Sequence, residues 1–313
     1  MDISSNHKGV FVAGSYNLDI VSRVASFPQK GETVRILSKK FLSGGKGANQ
    51  ATACRQVTKD THFFAKIGHD DFAKRAKQHL ERQQFASLTL AETYHSPTGV
   101  ALITVSEREK DNCIVLDLGA NLKVSDADIE NLTPQIEQTS VVLVQLENNI
   151  EAVAAVLRKA KEQAKTTILN PAPYHEQVHT LVPLVDVITP NETEASELSG
   201  IVIHDIETAE QAARFIHRMG ATNVIITLGG NGCLAYDGNE FKRFLSYPAE
   251  VIDTSGAGDA FNGSLAASLS LGKSLTESIS FATAFASCSV ENEGAANMPS
   301  MTQVEAKLAT VRK

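Results

Sequence analysis

The chain has 313 residues, 42% of them hydrophobic and 21% charged, which suffices for one large α/β domain with an accessory element or for two domains. Its formal net charge is -7 and no basic run exceeds Lys39-Lys40, so nucleic acid and anionic membranes are poor partners and small diffusible ones fit better. Residues 1–8 hold no apolar signal core, and no apolar run approaches the roughly 20 residues that span a bilayer, so a cytoplasmic location is expected.

In chain order, the first predicted element is a buried-type strand at Val10 to Ala13. Residues 18–43 and 96–117 read as short extended segments broken by polar residues; they form a small β layer inserted in the main fold and suit a lid over a site. Between them, Gly47 to Val57 and Asp71 to Gln84 carry helical patterns. From about residue 140, apolar strands at 140–146, 166–169, 185–189 and 223–227 alternate with helical patterns such as 150–164 and 207–219. That rhythm predicts an α/β fold, a mostly parallel sheet covered on both faces, with ligands at the carboxyl ends of its strands. Asp237-Gly238 marks a hairpin between 233–236 and 241–244. Cys54, Cys113, Cys233 and Cys288 lack metal or redox spacing and are expected as small buried hydrophobes, whereas His175 and His179 are expected at the surface.

The most informative stretch is Asp253-Thr254-Ser255-Gly256-Ala257-Gly258-Asp259, which leads into an apolar helix. Small residues let successive backbone N–H groups converge on an anion, and the helix start adds its positive dipole end. Asp259 in the first turn then stands where a base is needed to deprotonate an attacking hydroxyl, which suggests a kinase; a tight turn with a dipole-favoured Asp is the plain alternative. Asn17 and Asp19 follow the first strand two apart, so in extended chain both face one way and can meet the hydroxyls of one sugar; a solvated loop is the alternative. Gly45, with Gly44 and Gly47, allows close backbone approach, while Lys46, Asn49 and Gln50 offer donors and acceptors to a polyhydroxyl ligand, although an ordinary strand-to-helix turn also explains the glycines. Glu147 has the strand-end position of a site residue and equally suits a helix cap. Asn191 and Glu194 have the spacing of a capping box, which accounts for both without a ligand. The turn containing Thr227, Gly229 and Gly232 can lie along an adenosine, and a plain β-turn predicts the same residues. No G-x-G-x-x-G follows a first strand, and Gly272-Lys273-Ser274 follows a helix and lacks the upstream glycine of a P-loop, so a dehydrogenase and a P-loop kinase are disfavoured.

The segments G-G-K-G-A-N-Q, P-T-G-V-A, G-A-N, Q-L-E, N-P-A-P, T-P-N-E-T-E, T-L-G and D-T-S-G-A-G-D-A-F-N-G occur in one order between residue 10 and about 295. In this the chain resembles the ribokinase family of sugar and nucleoside kinases. The resemblance implies a ribokinase-like three-layer sandwich: one α/β kinase domain over 1–313 with a mostly parallel central sheet and a small β-sheet lid. It implies ATP-dependent phosphorylation of a sugar, with the 5-hydroxyl of D-ribose favoured by Asn17 with Asp19, Gly45 with Asn49, and Glu147. Deoxyribose, fructose, a nucleoside or a hydroxymethylpyrimidine are the alternatives, as is a non-catalytic sensor. The implied roles are Asp259 as base, an anion hole at Gly256, Ala257 and Gly258, and sugar contacts from Asn17, Asp19, Gly45, Lys46, Asn49, Glu147 and Asp259. Nucleotide contacts fall to Asn191, Glu194, Thr227, Gly229, Gly232, Gly258 and Thr283, where the family commonly has a larger side chain than Thr283. Mg²⁺ would be held by Glu194 through water, and an activating K⁺ by Asp253, the Ser255 carbonyl and carbonyls near Gly294, in a segment, 293–300, that departs from the usual family ending. The family habit of pairing through the lid implies a homodimer.

Overall fold

The structure, a computed structural model, describes residues 8–310. The chain opens with β1 (Val10–Ala13), whose four residues are fully packed, and then leaves for two paired strands, β2 (Asn17–Val24) and β3 (Ile36–Gly44). Helix α1 (Lys46–Val57) returns it to β4 (Thr61–Gly68), and α2 (Asp71–Arg82) leads to β5 (Ser87–Thr93). A second excursion supplies β6 (Gly99–Ser106) and β7 (Asp111–Asp117), followed by the short helices α3 (Asp126–Glu130) and α4 (Thr133–Gln138). Then come β8 (Val141–Val144), α5 (Ile150–Glu162), β9 (Thr166–Leu169), β10 (Val187–Ile188), α6 (Glu192–Ser199), α7 (Ile206–Arg218) and β11 (Asn223–Thr227). A hairpin of β12 (Cys233–Tyr236) and β13 (Phe241–Phe244) precedes α8 (Ala257–Ser270), α9 (Leu275–Ser289) and α10 (Met301–Ala309).

Nine strands form one sheet in the order β13-β12-β11-β10-β9-β8-β1-β4-β5, parallel except where β12 pairs with β11 and β13. Along β1 the side chains alternate between two cores. Phe11 and Ala13 pack with Val142, Ile188 and Ile226 under α5 and α7, and Val10 and Val12 pack with Phe63, Leu143 and Ile225 under α1, α2 and α8. Helices therefore cover both faces, as the apolar strand runs predict. The two excursions meet in a separate four-stranded sheet, β3-β2-β6-β7, within the segments expected for a small β layer. Its β3 and β7 are exposed along nearly their whole length.

Strand β5 was not foreshadowed by an apolar run, because it is an edge strand whose residues are mostly half-buried and alternate Ser and Thr with Leu. The strand at 185–189 shortens to Val187–Ile188, with residues 182–184 in a turn of 3₁₀ helix. Cys54, Cys233 and Cys288 are buried as expected, but Cys113 is exposed because β7 presents its residues to solvent. His175 and His179 are exposed. Among the described residues no helix is long and apolar enough to cross a membrane.

What places the site is the crossing of α1 with α8. A Cβ on Gly263 would lie 2.3 Å from the Gln50 carbonyl oxygen and 2.6 Å from the Ala53 Cβ, so the helix axes approach as closely as a glycine allows. The Cys54 thiol donates to the Gly263 carbonyl at 3.1 Å across the same crossing. In an open helix, Gly→Ala gains about 1 kcal/mol. Here the added methyl meets backbone, and overpacking of this kind costs about 1–3 kcal/mol. Gly263→Ala should accordingly lower the urea midpoint; an unchanged or raised midpoint would mean that the crossing has slack.

Candidate active site

The turn at 253–259 folds as its small residues require. Gly256 takes a left-handed φ of 74° as the N-cap of α8, and a Cβ there would lie 2.7 Å from Ala295, so this turn sits against the 293–297 loop with no room for a side chain. The Ala257 amide donates to the Thr254 carbonyl at 3.2 Å, closing the turn. The amides of Gly256, Gly258 and Asp259 have no acceptor among the described residues, and a Cβ on Gly258 would enter open space. The sequence counted Ala257 among the anion donors. Its amide is spent within the turn, and the free donors are its neighbours.

Asp259, in the first turn of α8, is 6% exposed. Its Oδ2 accepts from Asn49 Nδ2 at 3.0 Å and its Oδ1 from Gln50 Nε2 at 2.9 Å, both from the first turn of α1. Asn49 lies where the sequence expected a site residue. Gln50 does not face a sugar: it is fully buried and turned onto the carboxylate, so the expectation of a polyol contact there is corrected.

The other wall comes from β2 and from the end of β8. Glu147, 5% exposed, accepts on Oε2 from the Ser15 hydroxyl, from the Lys46 amide at 2.9 Å and from Asn17 Nδ2 at 3.3 Å. Asn17 accepts in turn from Asn121 Nδ2 at 2.9 Å. Gly45, with φ 91°, lets the β3-to-α1 turn press on the Tyr16–Asn17 backbone, where a Cβ would lie 2.7 Å from the Asn17 nitrogen. The Asp19 carboxylate makes no hydrogen bond among the described residues and occupies the space that a Cβ on Gly44 would take, 2.2 Å away. Burial, reinforced by the Glu147 and Asp259 carboxylates, pushes Asp19 up to about 7. Burial also pushes Glu147 up, with Asp259 adding to the shift. Burial works against the charge of Lys46, but Asp259, Glu147 and Glu194 outweigh it and raise its pKa. Lys46 is thus the cation among these acids. Ser15 and Asn121 are part of this wall and were not singled out from the sequence, since their partners lie more than 100 residues away.

On the opposite side the capping box is complete: Glu194 N donates to Asn191 Oδ1 at 2.8 Å, and the Asn191 amide donates to Glu194 Oε2 at 2.9 Å. Burial raises the Glu194 pKa, the Asn191 amide and Lys46 lower it, and Asp259 raises it further. Thr227 lies beside this turn, its amide bonded to the Pro190 carbonyl at 2.9 Å. Gly229 has φ 53° and open space at its Cα, as a turn approached by a ligand would. Gly232 has a packing reason of its own, because a Cβ there would lie 1.9 Å from the Phe244 carbonyl oxygen. Thr283 is 5% exposed and donates to the Ile279 carbonyl at 2.8 Å within α9. Asp253 accepts from the amides of Ser255 at 2.8 Å and Gly294 at 2.9 Å; burial opposes its charge, but these bonds hold its carboxyl below the usual range. These bonds tie the 253–255 turn to the 293–297 segment. Arg23 and Lys40 of the small sheet pair with Glu293 of the same loop at 3.5 and 3.0 Å.

Together these residues can take a proton from a hydroxyl at Asp259 and receive an anion at the α8 terminus, with carboxylates and amides arrayed for a polyol. A family model described as pfkB family carbohydrate kinase matches residues 7–302. The chain is 35% identical over 288 residues to the ribokinase of Haemophilus influenzae, a match spanning 92% of this chain and 94% of that protein. It resembles the solved ribokinase of Giardia lamblia with a TM-score of 0.90 at 27% identity, over 98% of this chain and 100% of the other. It also resembles the Arabidopsis thaliana ribokinase complexed with ribose and ATP, with a TM-score of 0.85 at 29% identity, over 96% and 99% of the two chains.

The raised Asp19 has a stability consequence of definite sign. Its folded value of about 7 lies above the ordinary 3.8, so ionisation is harder in the fold. Stability is therefore lost as pH rises from about 4 to about 7, and the full cost applies above that window. Asp19→Asn removes the cost. It should raise Tm at about pH 8 and leave it unchanged at about pH 4; an equal gain at both values would mean that the carboxylate is not the strained group.

Proposed function

The chain belongs to the pfkB family of carbohydrate kinases, and from that premise we propose that it transfers the γ-phosphoryl group of ATP to the 5-hydroxyl of D-ribose. The observation that carries the reading is Asp259, buried and held by two side-chain donors at a helix terminus with free amides, facing the Asp19–Glu147 wall. The likeness to ribokinases, one of them solved with ribose and ATP, supports the choice of substrates. Asp19, Asn17, Asn49 and Glu147 hold the sugar hydroxyls, with Gly45 shaping the turn beneath them. Asp259 takes the 5-hydroxyl proton as oxygen attacks phosphorus, and the amides of Gly256, Gly258 and Asp259 receive the charge that gathers on the phosphoryl oxygens. Lys46 balances the carboxylates between which the phosphoryl passes. Asn191, Thr227, Gly229 and Thr283 border the nucleotide, and Gly232 keeps that turn closed.

Glu194 would hold Mg²⁺ through water, and the ion would supply charge neutralisation on the phosphates. K⁺ as a second ion would fall to Asp253, the Ser255 carbonyl and carbonyls near Gly294, on the segments that the Asp253 carboxylate joins. The small sheet acts as the lid. It leaves Ile36, Leu37, Phe41, Leu102, Ile114 and Val115 exposed, an apolar surface that supports pairing of two copies, in the cytoplasm, through the lid.

Asp259→Asn should lower kcat by about 10²- to 10⁴-fold while sugar binding persists. Near-normal turnover in that variant would remove Asp259 as the base. ATP consumption measured over ribose, deoxyribose, fructose and nucleosides, with and without K⁺, should be fastest with ribose. Preference for another acceptor would reassign the substrate, and no turnover on any would favour a sensor. Light scattering should return twice the chain mass, falling to a monomer when Phe41 and Val115 are both changed to Asp; a monomeric parent protein would end the dimer proposal.

A further inference from the structure

Behind the base lies a chain of buried amides that the proposed reaction does not use directly. Gln50 is fully buried, and both protons of its Nε2 are engaged, one to Asp259 Oδ1 at 2.9 Å and one to Asn170 Oδ1 at 3.0 Å. Its Oε1 accepts from Gln145 Nε2 at 2.6 Å. Asn170 is fixed in its turn, since its Nδ2 donates to the Thr189 carbonyl at 3.2 Å. A flipped Gln50 amide would set oxygen against Asp259 Oδ1 and Asn170 Oδ1 and nitrogen against Gln145 Nε2, so the whole row admits one orientation. The donor to Oδ1 is therefore fixed and comes from the protein interior, whereas the donor to Oδ2, Asn49 Nδ2 at 3.0 Å, belongs to a side chain on the proposed sugar side that has no such row of amides behind it.

We infer that Gln50 is a positioning residue that selects Asp259 Oδ2 as the oxygen that takes the substrate proton. This deepens the proposed kinase reading and rests on it. In the step, the 5-hydroxyl oxygen forms its bond to the γ-phosphorus as the bond from phosphorus to the bridging oxygen breaks. ADP leaves with that electron pair, and the hydroxyl proton passes to Oδ2. Oδ1 never enters. With Gln50 in place the carboxylate cannot rotate to offer either oxygen, so the base is presented in one geometry.

The test compares Gln50→Leu with Asp259→Asn in the full chain, each checked for folding by circular dichroism. Gln50→Leu should lower kcat by about 10- to 100-fold with KM for ribose kept within about threefold, because a misplaced base harms the transition state and not sugar binding. Gln145→Leu leaves Gln50 in place but frees its amide to swing, so it should lower kcat by less, again with KM for ribose kept; it decides the matter if Gln50→Leu does not fold. An inactive Asp259→Asn beside a folded Gln50→Leu with normal kcat would overturn the positioning role alone. An active Asp259→Asn would overturn the kinase reading and the inference together.

Discussion

The site depends on one crossing. Helices α1 and α8 come from parts of the chain some 210 positions apart, and they meet where Gly263 lies against the Gln50 carbonyl. Without that approach the Asp259 carboxylate would be a buried charge with no donor, a state worth several kcal/mol of desolvation. With it, two charge-assisted hydrogen bonds form, each contributing about 1.5–3 kcal/mol. The two sums are comparable, so the carboxylate is tolerated only while the helices hold their spacing. Fold stability and the readiness of the base are thus set by the same contact, and the glycine that permits it lies one turn beyond the residue it serves.

Around that contact, what the sequence made legible was local. The 253–259 turn could be read because each of its features, small residues, a left-handed Gly256 and a first-turn acid, acts within a few positions of itself. The capping box of Asn191 and Glu194 and the hairpin at Asp237-Gly238 were readable for the same reason. The alternating rhythm gave the parallel sheet, since a strand buried on both faces must be apolar throughout. Direction in space was not legible. Asn49 and Gln50 are adjacent in a helical turn, and nothing in the residue types says that Gln50 faces the interior of α8 instead of a ligand. Asn121 and Ser15 serve the sugar wall through partners over 100 positions distant. Strand β5 and the exposed Cys113 were missed because both lie on sheet borders, where burial is partial and apolar patterning fades.

The two sides of the cleft differ in how they are held. The side formed by Asn191, Thr227 and Asp253 is tied largely by backbone: the capping box, the Thr227 amide on Pro190 and the Asp253 carboxylate that joins the Ser255 and Gly294 amides. The side formed by Glu147 is tied by side chains, with the buried Asn17 anchoring the small sheet there and exposed pairs such as Lys40 with Glu293 adding only about 0–1 kcal/mol.

The charge census then narrows what the acceptor can be. Glu147, Glu194 and Asp259 surround Lys46, and repulsion from Glu147 and Asp259 adds to the burial that pushes Asp19 up to about 7. A neutral polyol adds hydrogen-bond donors to these acids and no charge. A sugar that already bears a phosphate would add about two negative charges. A single like-charge pair at about 4 Å costs roughly 4 kcal/mol at an effective dielectric of 20, or about a thousandfold in binding. A phosphate brought that close to these carboxylates would therefore be disfavoured before any shape is considered.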